Sequence, residues 1–520
     1  MGVDLAMESF EQKAMDYYGE IVIDKSFIRQ AGFGNRGIPT FVGEWIIGHF
    51  MDQEGTETIT DAVRQKISDF VTRFMPSKDQ KQTVKNKLFQ QYDVQLLDNY
   101  SVVVDLDRQR RNLVIPYLDI DKATLNPHIL EGNPMLLQSG VWGVGTLMYI
   151  PQSTGSKKEG GDVMMRKFHE FQTSHVDLAS FIEARGNFTT HEWIDLIISS
   201  MGFNPNILSL RQKILMLCRL LPLVEPRYCL LELAPKGTGK SFVFDNISRY
   251  VTVRTGAITP SILFYHGVAR EAGLINRYDC IVLDEAQKLK TDSSGEVGAM
   301  LKSYLESGKF TRLGSGTVLA EASLAILANI DLDDNRQPLH YDAGLVRGFP
   351  NFVSETAFVD RFTGLLPGWD LPRITADTPS ASVGFKGEIF GEVLHSLRLD
   401  VSYRNQVKAG IVLENADDMR DRRAIETSSA GLMKIIFPDK KCSDEEFYRY
   451  CVNPALELRQ RIRDELCKMD MEYRPLQMGT PFPDEFQLQH VMPKYYDAAA
   501  LQTSEALLQD KADDDGGEFA

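Results

Sequence analysis

The chain has 520 residues, of which 43% are apolar and 25% charged, and its formal net charge is −15. That length predicts several domains, and that balance predicts buried cores rather than a disordered or fibrous chain. An apolar run of about eighteen residues, as a membrane-spanning helix requires, is missing, the first residues lack the basic and apolar regions of a secretory signal, and the acidic balance leaves nucleic acid only a local basic surface such as an assembled pore.

Residues 8–92 read as helical, with apolar positions three and four apart over 41–51 and 59–74. A β-rich stretch follows over 93–180. Its strands are expected at 99–107, 112–119 and 142–150, and the turn between the first two carries Arg108, Arg110 and Arg111. Those arginines are either an ordinary charged turn or contacts to phosphate. Residues 153–162 form a loop by composition. A boundary at 175–185 closes a mixed α+β N-terminal domain, 1–180.

Thr189 and Glu192 make a capping box that opens the second domain, 181–370. Strands at 228–233, 251–254, 279–283 and 323–328 alternate with helices at 240–250, 261–273 and 294–307. This alternation predicts an α/β fold with a parallel, helix-covered sheet.

The first of these strands runs into Pro235-Lys236-Gly237-Thr238-Gly239-Lys240-Ser241 and then a helix. Backbone N–H groups at such a turn cradle phosphate at a helix N-terminus. Lys240 would reach the β and γ oxygens, and the Ser241 hydroxyl would ligate Mg2+. Ala234 occupies the first glycine place of this pattern, which works only if its φ stays negative. A Gly-rich turn with an ordinary surface lysine is the alternative. It is weakened by the flanking strand and helix, and by a second apolar strand that ends in Asp284 and Glu285. Asp284 can hold the Mg2+ shell, and Glu285 can orient and deprotonate an attacking water. Asn329 ends the strand at 323–328, where it either contacts the γ-phosphate and water or merely caps a turn. The set predicts an ATPase using ATP and Mg2+.

Lys309 and Arg312 lie on an expected β-hairpin ahead of the Asn329 strand. In a ring ATPase such a hairpin projects into the pore and offers its cations to phosphates. By itself it is a solvated hairpin. Arg361 is a candidate finger supplied by a neighbouring subunit, or the partner of Asp360 in a surface pair. Residues 371–475 read as a helical lid. Residues 476–520, Pro-rich and then acidic, read as a flexible tail. The six cysteines form no C-x-x-C pair and are expected as buried thiols in a reducing compartment. The nine histidines form no cluster, so no zinc site is expected.

Pro235 to Ser241, Val282-Leu-Asp-Glu285, Tyr304-Leu-Glu-Ser-Gly-Lys-Phe310, Ala328-Asn-Ile330, Asp360-Arg-Phe362 and Leu366-Pro-Gly-Trp-Asp-Leu-Pro372 together resemble the Lon-related AAA+ ATPases of bacterial BREX phage defence, the BrxL type. Thr190-His-Glu-Trp-Ile-Asp195 and Gly431-Leu-Met-Lys-Ile-Ile-Phe-Pro438 are similar to the same family. The resemblance covers 20–470 and is specific over 185–440. It implies an AAA+ core with a lid, a homo-hexameric ring that can pair into a double ring, and double-stranded DNA bound in the central channel. The implied core is similar to that of replicative MCM helicases. Three departures stand out. Ala234 replaces a glycine, and Thr427 stands where the family carries an arginine, with Arg420, Arg422 and Arg423 a turn or two earlier. The stretch after 475 is too short for the family's Lon-protease-like domain, and no Ser-Lys proteolytic pair is recognised, so no protease activity is expected.

The expectation is an oligomeric, cytoplasmic AAA+ motor, without a membrane, that moves on or remodels double-stranded DNA alongside other phage-defence proteins. The rival is a protein-remodelling ATPase, an unfoldase without its own peptidase. Such motors grip polypeptide with an aromatic-x-Gly loop, and Tyr265-His266-Gly267 has that form. The helix expected over 261–273 argues against it, and Glu285 argues against a non-hydrolysing scaffold.

Overall fold

A computed structural model describes residues 9–482 except 34–36, 106–107, 139, 152–160, 172–175, 267–270, 291–294, 313–315, 340, 348 and 350–352. Most of the loop expected at 153–162, and the tail from 483 onward, lie outside the described residues.

The N-terminal helices include Thr40–Glu54, Asp61–Phe74 and Lys81–Phe89, preceded by a short strand β1 (Val22–Asp24). The β-rich stretch is a closed barrel of β2 (Val94–Asp105), β3 (Arg110–Ile115), β4 (Ile120–Leu125), β5 (Val141–Pro151) and β6 (Gly161–Glu170). Its order is β2-β3-β4-β6-β5, with β4 and β6 parallel. Closure leaves no edge strand exposed. Leu96, Tyr100, Leu113, Ile115, Leu147 and Met165 fill the interior. Two barrel strands were not legible from sequence. In β4 the exposed Asp121 and Lys122 interrupt the alternation, and β6 has no strong apolar period. The strand expected at 112–119 stops at Ile115, because Pro116 has no N–H to donate and starts a 3-10 turn.

The sheet of the second domain is parallel, in the order β15-β7-β14-β11-β8. Its strands in chain order are β7 (Cys229–Ala234), β8 (Val251–Arg254), β11 (Cys280–Leu283), β14 (Ser323–Asn329) and β15 (Gly364–Pro367). Between β8 and β11 lie β9 (Tyr265–His266) and β10 (Glu271–Ala272), an antiparallel pair. β12 (Lys309–Arg312) and β13 (Gly316–Leu319) form a second hairpin. The central strands are apolar on both faces, as in a sheet covered on both sides. Leu230, Val282, Ala325 and Leu327 face one core, and Leu231, Ile281, Leu324 and Ile326 face the other.

Three sequence expectations change here. The helix expected at 240–250 is Lys240–Asn246. The helix expected at 261–273 is only Pro260–Leu263, followed by the β9/β10 hairpin. At the far end of that hairpin a Cβ on Gly273 would lie 2.4 Å from the Leu263 carbonyl carbon, so the chain doubles back where only glycine fits. The ground for dismissing the Tyr265-His266-Gly267 loop therefore falls, and Gly267 itself lies outside the described residues. The expected tail is ordered at its start. Met478 is buried, its N–H donates to Gln460 Oε1 at 2.9 Å, and the Thr480 hydroxyl donates to Asn453 Oδ1 at 2.9 Å.

After β15 come β16 (Val383–Phe385) and the helices Gly387–Arg398, Ser402–Gly410, Met419–Ile436 and Asn453–Met469. β16 pairs with β1 and so joins this segment to the N-terminal helices. The buried Lys25–Glu44 pair reinforces the joint at 2.6 Å, with Glu44 also accepting the Gly387 N–H at 2.7 Å. Asn246, the last residue of the helix after the phosphate-loop motif, accepts from both the N–H and the hydroxyl of Thr40. Of the six free cysteines, Cys442 and Cys467 are only partly buried. Among the described residues, no helix is long and apolar enough to cross a membrane.

Candidate active site

The site starts at the end of β7. Every residue of that strand is buried, so the turn leaving it is held rigidly. Gly237 (φ 83°) and Gly239 (φ 74°) turn the chain in the left-handed region that favours glycine, and Gly239 starts the Lys240–Asn246 helix. Ala234 is not among the residues with positive φ. Its methyl is accommodated from across the sheet, because a Cβ on Gly368 would lie only 2.5 Å from it.

Four polar side chains meet where β7, β14 and β11 end, at the carboxyl edge where parallel sheets bind ligands. Register pairs Asn329 with Ala234, so β14 and β7 end level, whereas β11 ends earlier, with Leu283 opposite Ile326. Lys240 Nζ donates to Asn329 Oδ1 at 2.9 Å and to the Ala234 and Pro235 carbonyls at 3.2 and 3.3 Å. Ser241 Oγ donates to Asp284 Oδ2 at 2.5 Å. Burial pulls the Lys240 ammonium below its usual pKa; Glu232 and Asp284 oppose the shift, and Arg219 adds to it. A hydroxyl and a carboxylate oxygen this close are hard oxygen donors of the kind that would hold a divalent ion such as Mg2+.

Glu285 follows with a left-handed backbone, φ 51°. Its N–H donates to Asp284 Oδ1 at 2.7 Å, and its half-exposed carboxylate pairs with Lys288 at 3.0 Å. The Glu285 carboxylate is thus part-exposed beside Lys288, while Asp284 accepts from Ser241.

Arg361 is at the opposite end of the sheet. Thr363, two residues on, donates its N–H to the Cys229 carbonyl, at the start of β7. A six-residue strand spans about 20 Å, so Arg361 is that far from the phosphate-loop motif of its own chain. The expected alternative, a pair with Asp360, is not what forms. Asp360 is held by Arg459 and Arg420, whereas Arg361 donates to the Ala357 carbonyl at 2.5 Å and lies 3.3 Å from Glu306. Arg361, Arg420, Arg423, Glu306 and Thr427 line one cleft of about 100 Å³. Arg422 pairs instead with Glu426 at 3.2 Å.

The structure leaves the other candidate cations apart from this cluster. Lys309 is exposed at the start of β12, and Phe310 beside it anchors the hairpin against Phe264, with ring centroids 5.0 Å apart. The side chain of Arg312 lies outside the described residues. Arg108, Arg110 and Arg111 are exposed on the β2–β3 turn, with the Arg108 guanidinium 3.9 Å from Asp105. Sequence reasoning missed Arg219 and Glu232, which pair beneath the loop. The signal was there: a glutamate inside an apolar strand must find a buried partner.

Residues 163–479 match the family model described as "Lon-like protease BrxL-like, ATPase domain", and residues 16–149 match "BREX system Lon protease-like protein BrxL N-terminal". The chain is 26% identical over 469 residues to the "Lon-like protease BrxL" of Escherichia coli O9:H4 (strain HS), covering 90% of this chain and 66% of that protein. It is 27% identical over 468 residues to the protein of the same name from Bacillus cereus (strain H3081.97), covering 89% and 67%. The chain thus spans about two thirds of the length of these relatives.

Proposed function

The chain belongs to the BrxL-like family of BREX Lon-related proteins, and from that premise we propose that it is an ATP-hydrolysing AAA+ ring motor that binds and remodels or translocates on double-stranded DNA in phage defence. The observation that carries the ATPase reading is the meeting of Lys240, Ser241, Asp284 and Asn329 at the ends of three adjacent strands. Lys240 and the loop 235–239 would hold the triphosphate, and Ser241 and Asp284 the Mg2+. Glu285 would take the proton of the attacking water, with Asn329 fixing that water or the γ-phosphate. Arg361 supports the ring. It is too far from its own loop to act there, so its guanidinium would stabilise transition-state charge in the site of the next subunit. The 371–475 helices would form the lid, and the exposed cations Lys309, Arg108, Arg110 and Arg111, with Arg312, would meet DNA phosphates.

The test is ATPase activity with and without duplex DNA, beside a sizing column. Duplex should stimulate turnover, its binding should weaken steeply with salt, and changing both Lys309 and Arg312 to Glu should weaken it without altering size. A second reading, the protein-remodelling ATPase, gains from the β9/β10 hairpin, which puts Tyr265 on a strand rather than in a helix. Stimulation by an unfolded protein and none by duplex would favour that reading.

A further inference from the structure

We propose that Arg219 is a positioning residue for the phosphate loop, holding the Thr238 carbonyl from beneath so that the Gly239 N–H faces the phosphate. The inference rests on the reading of residues 235–241 as that loop. Arg219 caps the Leu210–Cys218 helix and is fully buried, as is Glu232 in the middle of β7. The guanidinium grips Glu232 in two places, at 2.6 and 3.1 Å, and its Nη2 also donates to the Thr238 carbonyl at 3.2 Å. A trans peptide is planar, with C=O and N–H pointing opposite ways. Fixing the Thr238 oxygen downward therefore turns the Gly239 N–H upward into the turn. Lys240 ties the Ala234 and Pro235 carbonyls, so these two cations orient three carbonyls of one short segment.

Stability alone does not account for such a pair. A fully buried ion pair is often matched or bettered by apolar residues of similar volume. Arginine has what the task requires, since its planar fork serves a carboxylate and a third acceptor together, whereas an ammonium is a point charge. The Arg219 charge below the loop also contributes to the lowered pKa of Lys240, so it adds positive potential where a polyphosphate would lie.

The test replaces the pair by Arg219→Met with Glu232→Leu, keeping volume while removing the fork. Tm, the Kd for ATP and ADP from a fluorescent analogue, and the KM and kcat of hydrolysis are measured on the full chain. Tm should stay within a few degrees, while Kd and KM should rise at least about tenfold, with kcat falling less. Arg219→Lys, which keeps the charge beside Glu232, should raise Kd similarly. Nucleotide binding within about twofold of the parent in either folded variant overturns the proposal. Failure of both variants to fold overturns it as well, since the role is then structural. Lys240→Ala is the control: if it binds ATP normally, the phosphate-loop reading fails, whatever Arg219 does.

Discussion

Glu285 holds a left-handed backbone directly after a buried strand, a conformation that costs a non-glycine residue about 1 kcal/mol or more. The turn re-aims the chain, so that adjacent carboxylates find different partners: Asp284 accepts from Ser241 and Glu285 pairs with Lys288. Glu285→Gln should therefore retain ATP binding and lose at least about a hundredfold in turnover, the scale of a missing general base. Parental turnover in that variant would remove Glu285 from the role. Lys240 makes a second prediction. Its lowered pKa means the ammonium loses its proton at a lower pH than an ordinary lysine. ATP affinity should accordingly decline as pH rises through that lowered value, and the decline should be absent in Lys240→Ala, which binds weakly at every pH. A titration of Kd against alkaline pH on both proteins checks this.

At the scale of elements, the end of the described chain shows how composition misleads. Prolines and acidic residues after 475 read as a tail, yet residues 476–482 return to the Asn453–Met469 helix, bury Met478 and exchange hydrogen bonds with Gln460 and Asn453. One buried apolar residue and two side-chain partners leave no periodic signal in a sequence. Ending the chain after residue 475 should lower stability by about 2–4 kcal/mol, from a lost buried side chain and unsatisfied polar groups. Ending it after 482 should preserve those contacts. Thermal melts of the two truncations decide the matter, and equal Tm values would show that 476–482 contribute nothing. The β9/β10 hairpin carries the same lesson. Pro260 and the apolar residues after it do start a helix, but it ends at Leu263, and Gly273 packs back against Leu263 where a Cβ would not fit.

The sheet carries the Lys240–Asp284 cluster and the Arg361 cluster at opposite ends. Lys240 and Asp284 are at the carboxyl ends of the strands, and Arg361 precedes β15 beside the amino end of β7. A ring that stacks one end on the other would bring them together. Arg361→Ala should thus abolish hydrolysis while leaving nucleotide binding intact. Mixing it with Glu285→Gln protein should restore part of the turnover, because some interfaces then carry both intact groups. Assembled mixtures with no recovery would sink the trans arrangement.

The strand, glycine turn and helix around 229–246, the strand ending before Asp284 and Glu285, and the parallel sheet were legible in the sequence, because each is a local pattern. The core alternation followed from the same periodicity. Tertiary structure alone decided the rest. Barrel closure through β4 and β6 depends on pairing between strands far apart in the chain, which no local period encodes. Ala234 is tolerated because Gly368 leaves room for its methyl, and Thr238 is oriented by an arginine from a preceding helix. Arg361 finds Glu306 rather than its neighbour Asp360, since adjacent side chains point apart while a folded cleft can gather distant charges.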